Sequence, residues 1–138
     1  MIIRLHEQKN AIAAPKDVYA ILQAVLAAED AVDRDKEHFW VFQLDTRLRI
    51  KVLELVTLGI LNASLVHPRE VFTRAVANRS HAILIAHNHP SGQISPSQED
   101  LDLTQQLVKA GKILGIALVD HIIIGESDYL SMKQSGLL

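Results

Sequence analysis

Cysteine is absent from this chain of 138 residues, which removes disulfide bridges, thiolate metal sites and cysteine nucleophiles together. Any metal must therefore be held by histidine and carboxylate. Aromatic residues are scarce, at 4%, so aliphatic side chains have to fill the core. No long run of either charge occurs, and the net charge is −2 with histidines neutral. That balance lacks the footprint of a surface that tracks phosphates, and at most weak, sequence-independent contact with nucleic acid is expected. The segment from Met1 to Asn10 carries Arg4, Glu7 and Lys9 among few apolar residues, so it reads neither as a signal peptide nor as a spanning helix. The expectation is a cytoplasmic protein with no membrane association.

What is present suits one folded domain. Apolar residues make up 49% of the chain and charged residues 22%, enough for a core under a soluble surface. The length sits near the commonest size of a single domain. There is no internal repeat and no low-complexity tract.

Periodicity gives the elements. From Ala14 to Glu29, the residues Val18, Ile21, Leu22, Val25 and Leu26 recur at helical spacing, with Pro15 suited to the first turn. The charged stretch Glu29 to Glu37 reads as a loop. Phe39 to Leu44 and Ile50 to Leu58 flank Asp45-Thr46-Arg47 and read as an antiparallel hairpin. Gly59 to Val66 reads as a loop with a short strand. Pro68 opens a second helix whose stripe is Val71, Phe72, Ala75 and Val76, ending near Asn78. Ala82 to Ala86 is a short apolar run of the kind found in buried strands, and Asn88 to Ser95 a loop. Ser95-Pro96-Ser97-Gln98 resembles a capped helix start with Ser95 as cap, and Gly115 is a plausible stop for that helix. Ile116 to Ile124 reads as a strand, and Tyr129 to Met132 as an edge strand. The order predicts an α/β domain with helices packed on a mixed, mostly antiparallel sheet.

The chemistry concentrates in His87-Asn88-His89, followed ten residues later by Asp100. Side chains alternate along an extended chain, so histidines at i and i+2 point to the same side. A carboxylate from the first turn of the next helix can close a third position, where the helix dipole also favours negative charge. Two imidazoles and one carboxylate leave a fourth tetrahedral position open, the arrangement of a catalytic zinc site. Ser97 lies one turn before Asp100, on the same helix face. Asp120 and His121 fall on one strand with alternating faces, so only one of them can look toward such a site. Both read as structural or supporting residues. His6, His38, His67 and His81 have no partner at a ligand spacing.

The string His87-Asn88-His89-Pro90, with Ser97 and Asp100, resembles the JAMM motif of MPN-domain metalloproteases, His-x-His-x7-Ser-x2-Asp. Three runs resemble the RadC family in particular: Val66-His67-Pro68-Arg69-Glu70-Val71-Phe72, Ala86-His87-Asn88-His89-Pro90-Ser91-Gly92, and Asp120-His121-Ile122-Ile123-Ile124-Gly125. The resemblance begins at about Pro15. It implies an amino-terminal extension over 1–14 and an MPN/JAMM-like RadC domain of cytidine-deaminase-like architecture over 15–138. It also implies zinc on His87, His89 and Asp100, with water at the fourth position. Glu37, just before the strand His38 to Leu44, takes by family position the place of the general base, and Glu70 is the competing carboxylate. Ser97 takes the place of hydrogen-bond donor to the oxyanion. RadC proteins typically carry a further amino-terminal region of helix-hairpin-helix character that this length does not accommodate, which weakens the expectation of DNA binding. The activity implied is amide-bond hydrolysis on a protein or peptide substrate. A metal-dependent hydrolase of nucleic-acid chemistry and a non-catalytic MPN scaffold are the alternatives. Retention of both histidines, the serine and the aspartate speaks against the scaffold. No feature specifies the bond cut or an oligomeric state.

Overall fold

A computed structural model describes residues 2–3, 11–59 and 66–138. His6 and most of the stretch Gly59 to Val66 lie outside the described residues. In chain order the elements are β1 (Ile2–Ile3), α1 (Pro15–Ala27), α2 (Ala31–Arg34), β2 (His38–Leu44), β3 (Ile50–Leu58), α3 (Pro68–Ala77), β4 (Ala82–Asn88), α4 (Gln98–Leu114), β5 (Ala117–Ile124) and β6 (Tyr129–Ser131). The strands form one sheet in the order β1-β3-β2-β4-β5-β6. Every neighbouring pair is antiparallel except β4 with β5. The mixed, mostly antiparallel α/β architecture expected from the sequence is therefore the one observed.

Alternation along the strands divides the core into two layers. Trp40, Phe42 and Leu44 of β2 meet Val18 and Leu22 of α1 on one face. Phe39 and Val41 turn the other way and pack with Phe72 of α3 and Leu103 and Leu107 of α4. Each such side chain contributes about 1.5–3 kcal/mol by leaving water. No described helix is long and apolar enough to cross a membrane.

Three local expectations are corrected. The charged stretch after α1 is not all loop: Asp30 accepts a hydrogen bond from the backbone N–H of Asp33 and caps the single-turn α2. Arg34 of that turn then donates to the carbonyls of Leu26 and Ala27 in the last turn of α1 and to that of Glu29 just beyond it. The strand leading to the histidines runs through Asn88 rather than stopping at Ala86. Finally, α4 is capped by Ser97 and not by Ser95. With Ser97 as cap, Asp100 falls three residues on and closes the box with a charged acceptor, which Gln98 cannot offer.

A bulge decides what β5 presents. Ile83 pairs with Leu118 and Ile85 with His121, so β5 advances three residues where β4 advances two. The extra residue turns His121 onto the α4 face, with Leu118. Asp120 holds the bulge: its carboxylate accepts from the backbone N–H groups of His121 and Lys133 and from the Ser131 hydroxyl.

Candidate metal centre

The parallel pair β4 and β5 needs a crossover, and α4 supplies it. A crossover helix begins beside the carboxyl end of the strand it leaves, so the first turn of α4 comes to His87 and His89. The antiparallel neighbour β2 brings a second carboxylate. Phe39 pairs with His87, and continuing outward puts Glu37 beside His89.

Side-chain geometry follows from these registers. Nε2 of His87 lies 2.9 Å from Nε2 of His89. Oδ1 of Asp100 lies 3.3 Å from the first nitrogen, and Oδ2 lies 3.5 Å from the second. Donors bound at about 2.0–2.1 Å to one tetrahedral divalent cation stand about 3.3 Å apart. The two ring nitrogens stand close to that spacing, and the Asp100 carboxylate turns one oxygen toward each of them at a similar distance. The outward nitrogen of His89 agrees: Nδ1 lies 2.7 Å from the carbonyl oxygen of Gln93, which only accepts, so Nδ1 holds the proton and a neutral ring offers a bare Nε2.

The electrostatics are those of a compact anion between two imidazoles. Burial alone would push Asp100 up, but the facing His87 and His89 side chains, helped by the backbone N–H of Ser97, hold its carboxyl well below the usual carboxylate range. The Asp100 carboxylate, opposed by burial and helped by the Gln93 carbonyl, raises His89 above an ordinary histidine.

Glu37 stands close to this group. One of its carboxylate oxygens and a ring nitrogen of each histidine lie within 4.8 Å of one another. Burial moves its pKa up, and the two nearby histidines only partly reverse the shift. Its backbone is clamped from β4: Oδ1 of Asn88 accepts from the N–H of His38 at 2.5 Å, and Nδ2 donates to the carbonyl of Lys36 at 3.1 Å. The residue between the two histidines therefore grips the chain on both sides of Glu37. The Glu37 carbonyl accepts from the N–H of Gly59 at 2.8 Å. Beside His89 and Asn88 opens a cavity of about 510 Å³, walled by Leu26 and Ala27 of α1, Arg34, and Glu126. Gly125 lets its far wall close in, since a Cβ there would come within 2.8 Å of the Gly92 carbonyl and of Ile94.

The structure brings together Glu37, His87, His89 and Asp100. Ser97 joins them as the cap of α4, its Oγ accepting from the N–H of Asp100 at 3.1 Å. That bond leaves the hydroxyl proton available. Glu70 stays outside the cluster, exposed in the first turn of α3. Three residues acquire roles that the sequence reading did not give them. His67 caps α3 through Nδ1, 3.1 Å from the N–H of Arg69. His38 bonds the carbonyl of Lys36 and the carboxylate of Glu29 at the rim. Asn88 was only a spacer in the motif. A polar residue between two candidate ligands, inside an otherwise apolar strand, was the one available signal for it.

Fold and site together define an α/β domain of the JAB/MPN type with a possible metal site of two histidines and carboxylates at the carboxyl end of a central strand. Residues 12–137 match the RadC-like JAB domain, and the chain belongs to that family. It is 46% identical over 134 residues to a UPF0758 protein of Methanosarcina acetivorans, covering 97% of this chain and 56% of that one. A UPF0758 protein of Syntrophomonas wolfei is 43% identical over 130 residues, covering 94% and 55%. A third, from Desulforudis audaxviator, is 46% identical over 114 residues, covering 83% and 50%. The chain thus spans about half the length of these relatives.

Proposed function

We propose that this domain is a zinc-dependent hydrolase that cleaves an amide bond in a protein or peptide substrate. The observation carrying the reading is the convergence of His87, His89 and Asp100 at mutual distances of 2.9, 3.3 and 3.5 Å, with the Glu37 carboxylate beside them. His87, His89 and Asp100 would hold the ion. Zinc supplies a Lewis acid that makes water ionise near neutral pH and polarises a carbonyl. Glu37 takes the proton of the attacking water and delivers it to the departing amine, so that one carboxylate serves as base and then as acid. Ser97 donates its free hydroxyl proton to the carbonyl oxygen as negative charge develops there. Asn88 keeps the Glu37 backbone in register with the two histidines.

The test compares metal content, melting temperature and cleavage of a peptide-amide library across variants. The wild-type chain should carry about one zinc per molecule, and the His87→Ala/His89→Ala double variant none. Glu37→Gln should keep the metal and lose about 10²–10⁴-fold in turnover, whereas Asp100→Asn should lose metal affinity and activity together. Unchanged zinc content in the double variant would remove the basis of the reading. A fully active Glu37→Gln would assign the base elsewhere, and a dead, zinc-loaded Glu70→Gln would assign it to Glu70.

A further inference from the structure

We propose that His121 is a positioning residue for the metal centre: with Thr104 it holds the His87 ring in the one tautomer whose Nε2 lone pair faces the other donors. This deepens the reading of the centre and rests on it.

The argument counts protons along a buried chain of hydrogen bonds. Thr104 has one hydroxyl proton. Its Oγ1 lies 2.7 Å from the backbone carbonyl oxygen of Asp100, four residues earlier in α4, and 3.4 Å from Sδ of Met132. Both partners only accept. With its proton given to the nearer of them, the Asp100 carbonyl, Oγ1 is left to accept from Nδ1 of His121, 2.6 Å away. His121 therefore carries a proton on Nδ1. Its ring is fully buried, and its hydrogen-bond partners are Thr104 and His87, with no carboxylate among them. One proton is what such a ring keeps. Nε2 of His121 then presents a lone pair to Nδ1 of His87 at 2.8 Å, so Nδ1 of His87 must be the protonated nitrogen. Nε2 of His87, the atom 2.9 Å from His89 and 3.3 Å from Asp100, is left bare.

The path joins β4, β5 and α4, and it ends on the backbone of another candidate ligand. Phe39 holds its two rings, stacked on His87 at 6.1 Å and edge-on to His121 at 6.2 Å. The bulge in β5 is what turns His121 to this face. A neutral imidazole free in water places its proton on either nitrogen, and only one choice leaves the correct atom for a metal. The relay removes that choice.

The experiment uses the whole chain. Zinc affinity is measured by competition with a chelator for the wild type and for His121→Leu, His121→Gln, Thr104→Val and Thr104→Ser, with folding followed by circular dichroism. Nitrogen NMR of the metal-free wild type reports the tautomer of His87. Affinity should fall about 10–100-fold in His121→Leu, and in the same direction in Thr104→Val. Thr104→Ser should bind like the wild type. His121→Gln should recover much of the loss, since a carboxamide oxygen can accept from His87 while its NH₂ donates to Thr104. The metal-free wild type should show the His87 proton on Nδ1. A folded His121→Leu with wild-type affinity, or a His87 proton on Nε2, overturns the proposal. Should His121→Leu fail to fold, Thr104→Val and the NMR signature decide it. A wild type that binds no zinc is a failure of the metal-centre reading, and the tautomer of the metal-free chain still decides the relay.

Discussion

The two faces of the sheet are built on opposite rules. Against α1, the buried layer is nearly all hydrocarbon: Trp40, Phe42, Leu44, Leu53, Leu84 and Ile122 meet Val18 and Leu22, with the buried His38 stacked on Trp40 at its edge. Against α3 and α4, an apolar layer also exists, but polar side chains are buried within it. Gln43 accepts from Asn78 and Ser80, Glu54 pairs with Arg74 at 2.8 Å, and His87, His121, Thr104 and Asp100 form a connected group. One face supplies cohesion without direction. The other accepts the desolvation of polar groups and in return gains direction, because a hydrogen bond holds its partners at a defined distance and angle.

The largest expected stability difference between the faces comes from Phe42→Ala. It removes a wholly buried ring from the α1 layer and should cost about 3–5 kcal/mol, while zinc affinity of the folded fraction stays unchanged. Denaturant unfolding beside a metal titration checks both halves, and a coupled loss of affinity would show that the faces are not independent. Next, Asn88→Ala leaves the buried N–H of His38 without its acceptor and should cost about 1–3 kcal/mol. Under the proposed function it should also lower turnover at full metal content, because the clamp on Glu37 is gone. Equal turnover per folded molecule would reduce Asn88 to a structural residue.

Smaller again is the pair Ser97→Ala and Glu70→Gln. Losing the cap of α4 should cost about 1 kcal/mol, within a range of roughly 0.5–2, and Glu70→Gln about 0.3–1 kcal/mol through the helix dipole alone. Thermal melts of the two side by side check the order.

The smallest effect concerns pH. Burial raises Glu54 above the ordinary glutamate value of 4.5, and the opposing pull of Arg74 does not cancel it. A raised folded-state pKa means that the contribution of this group is full below about pH 4.5 and is lost as pH rises through the raised value. The stability of the wild type relative to Glu54→Gln should therefore decline from acid toward neutral pH, measured as the difference between two unfolding midpoints. A difference that grows in that direction would mean that the ion pair, and not burial, governs this position.

Helix and strand periods were legible wherever one face of an element is apolar. The α1 stripe of Val18, Leu22, Val25 and Leu26, the hairpin β2 and β3, and the stop at Gly115, whose φ is +73°, all follow from local rules. The extent of β4 was less legible, because His87 and Asn88 are polar residues that the sheet nevertheless pairs. Ser95 and Ser97 are both credible caps by type, and the choice rests on Asp100, whose carboxylate serves the cap and the histidines together.

By itself the sequence determined which donors a metal could find and the spacing of three candidates: without cysteine any such centre had to be histidine and carboxylate, and His87, His89 and Asp100 stand close enough along the chain for one strand and one helix start to deliver them. Glu37 was reached only through family resemblance, since fifty residues separate it from His87 and no periodicity spans that distance. The pairing of Phe39 with His87 brings it in. The orientation of His121 was decided by tertiary structure alone. Strict alternation gives no reason to favour it over Asp120, and a one-residue bulge, held by hydrogen bonds from β6 and the turn beyond, turns its ring toward His87. Such a bulge depends on contacts between strands, which exist only once the chain has folded.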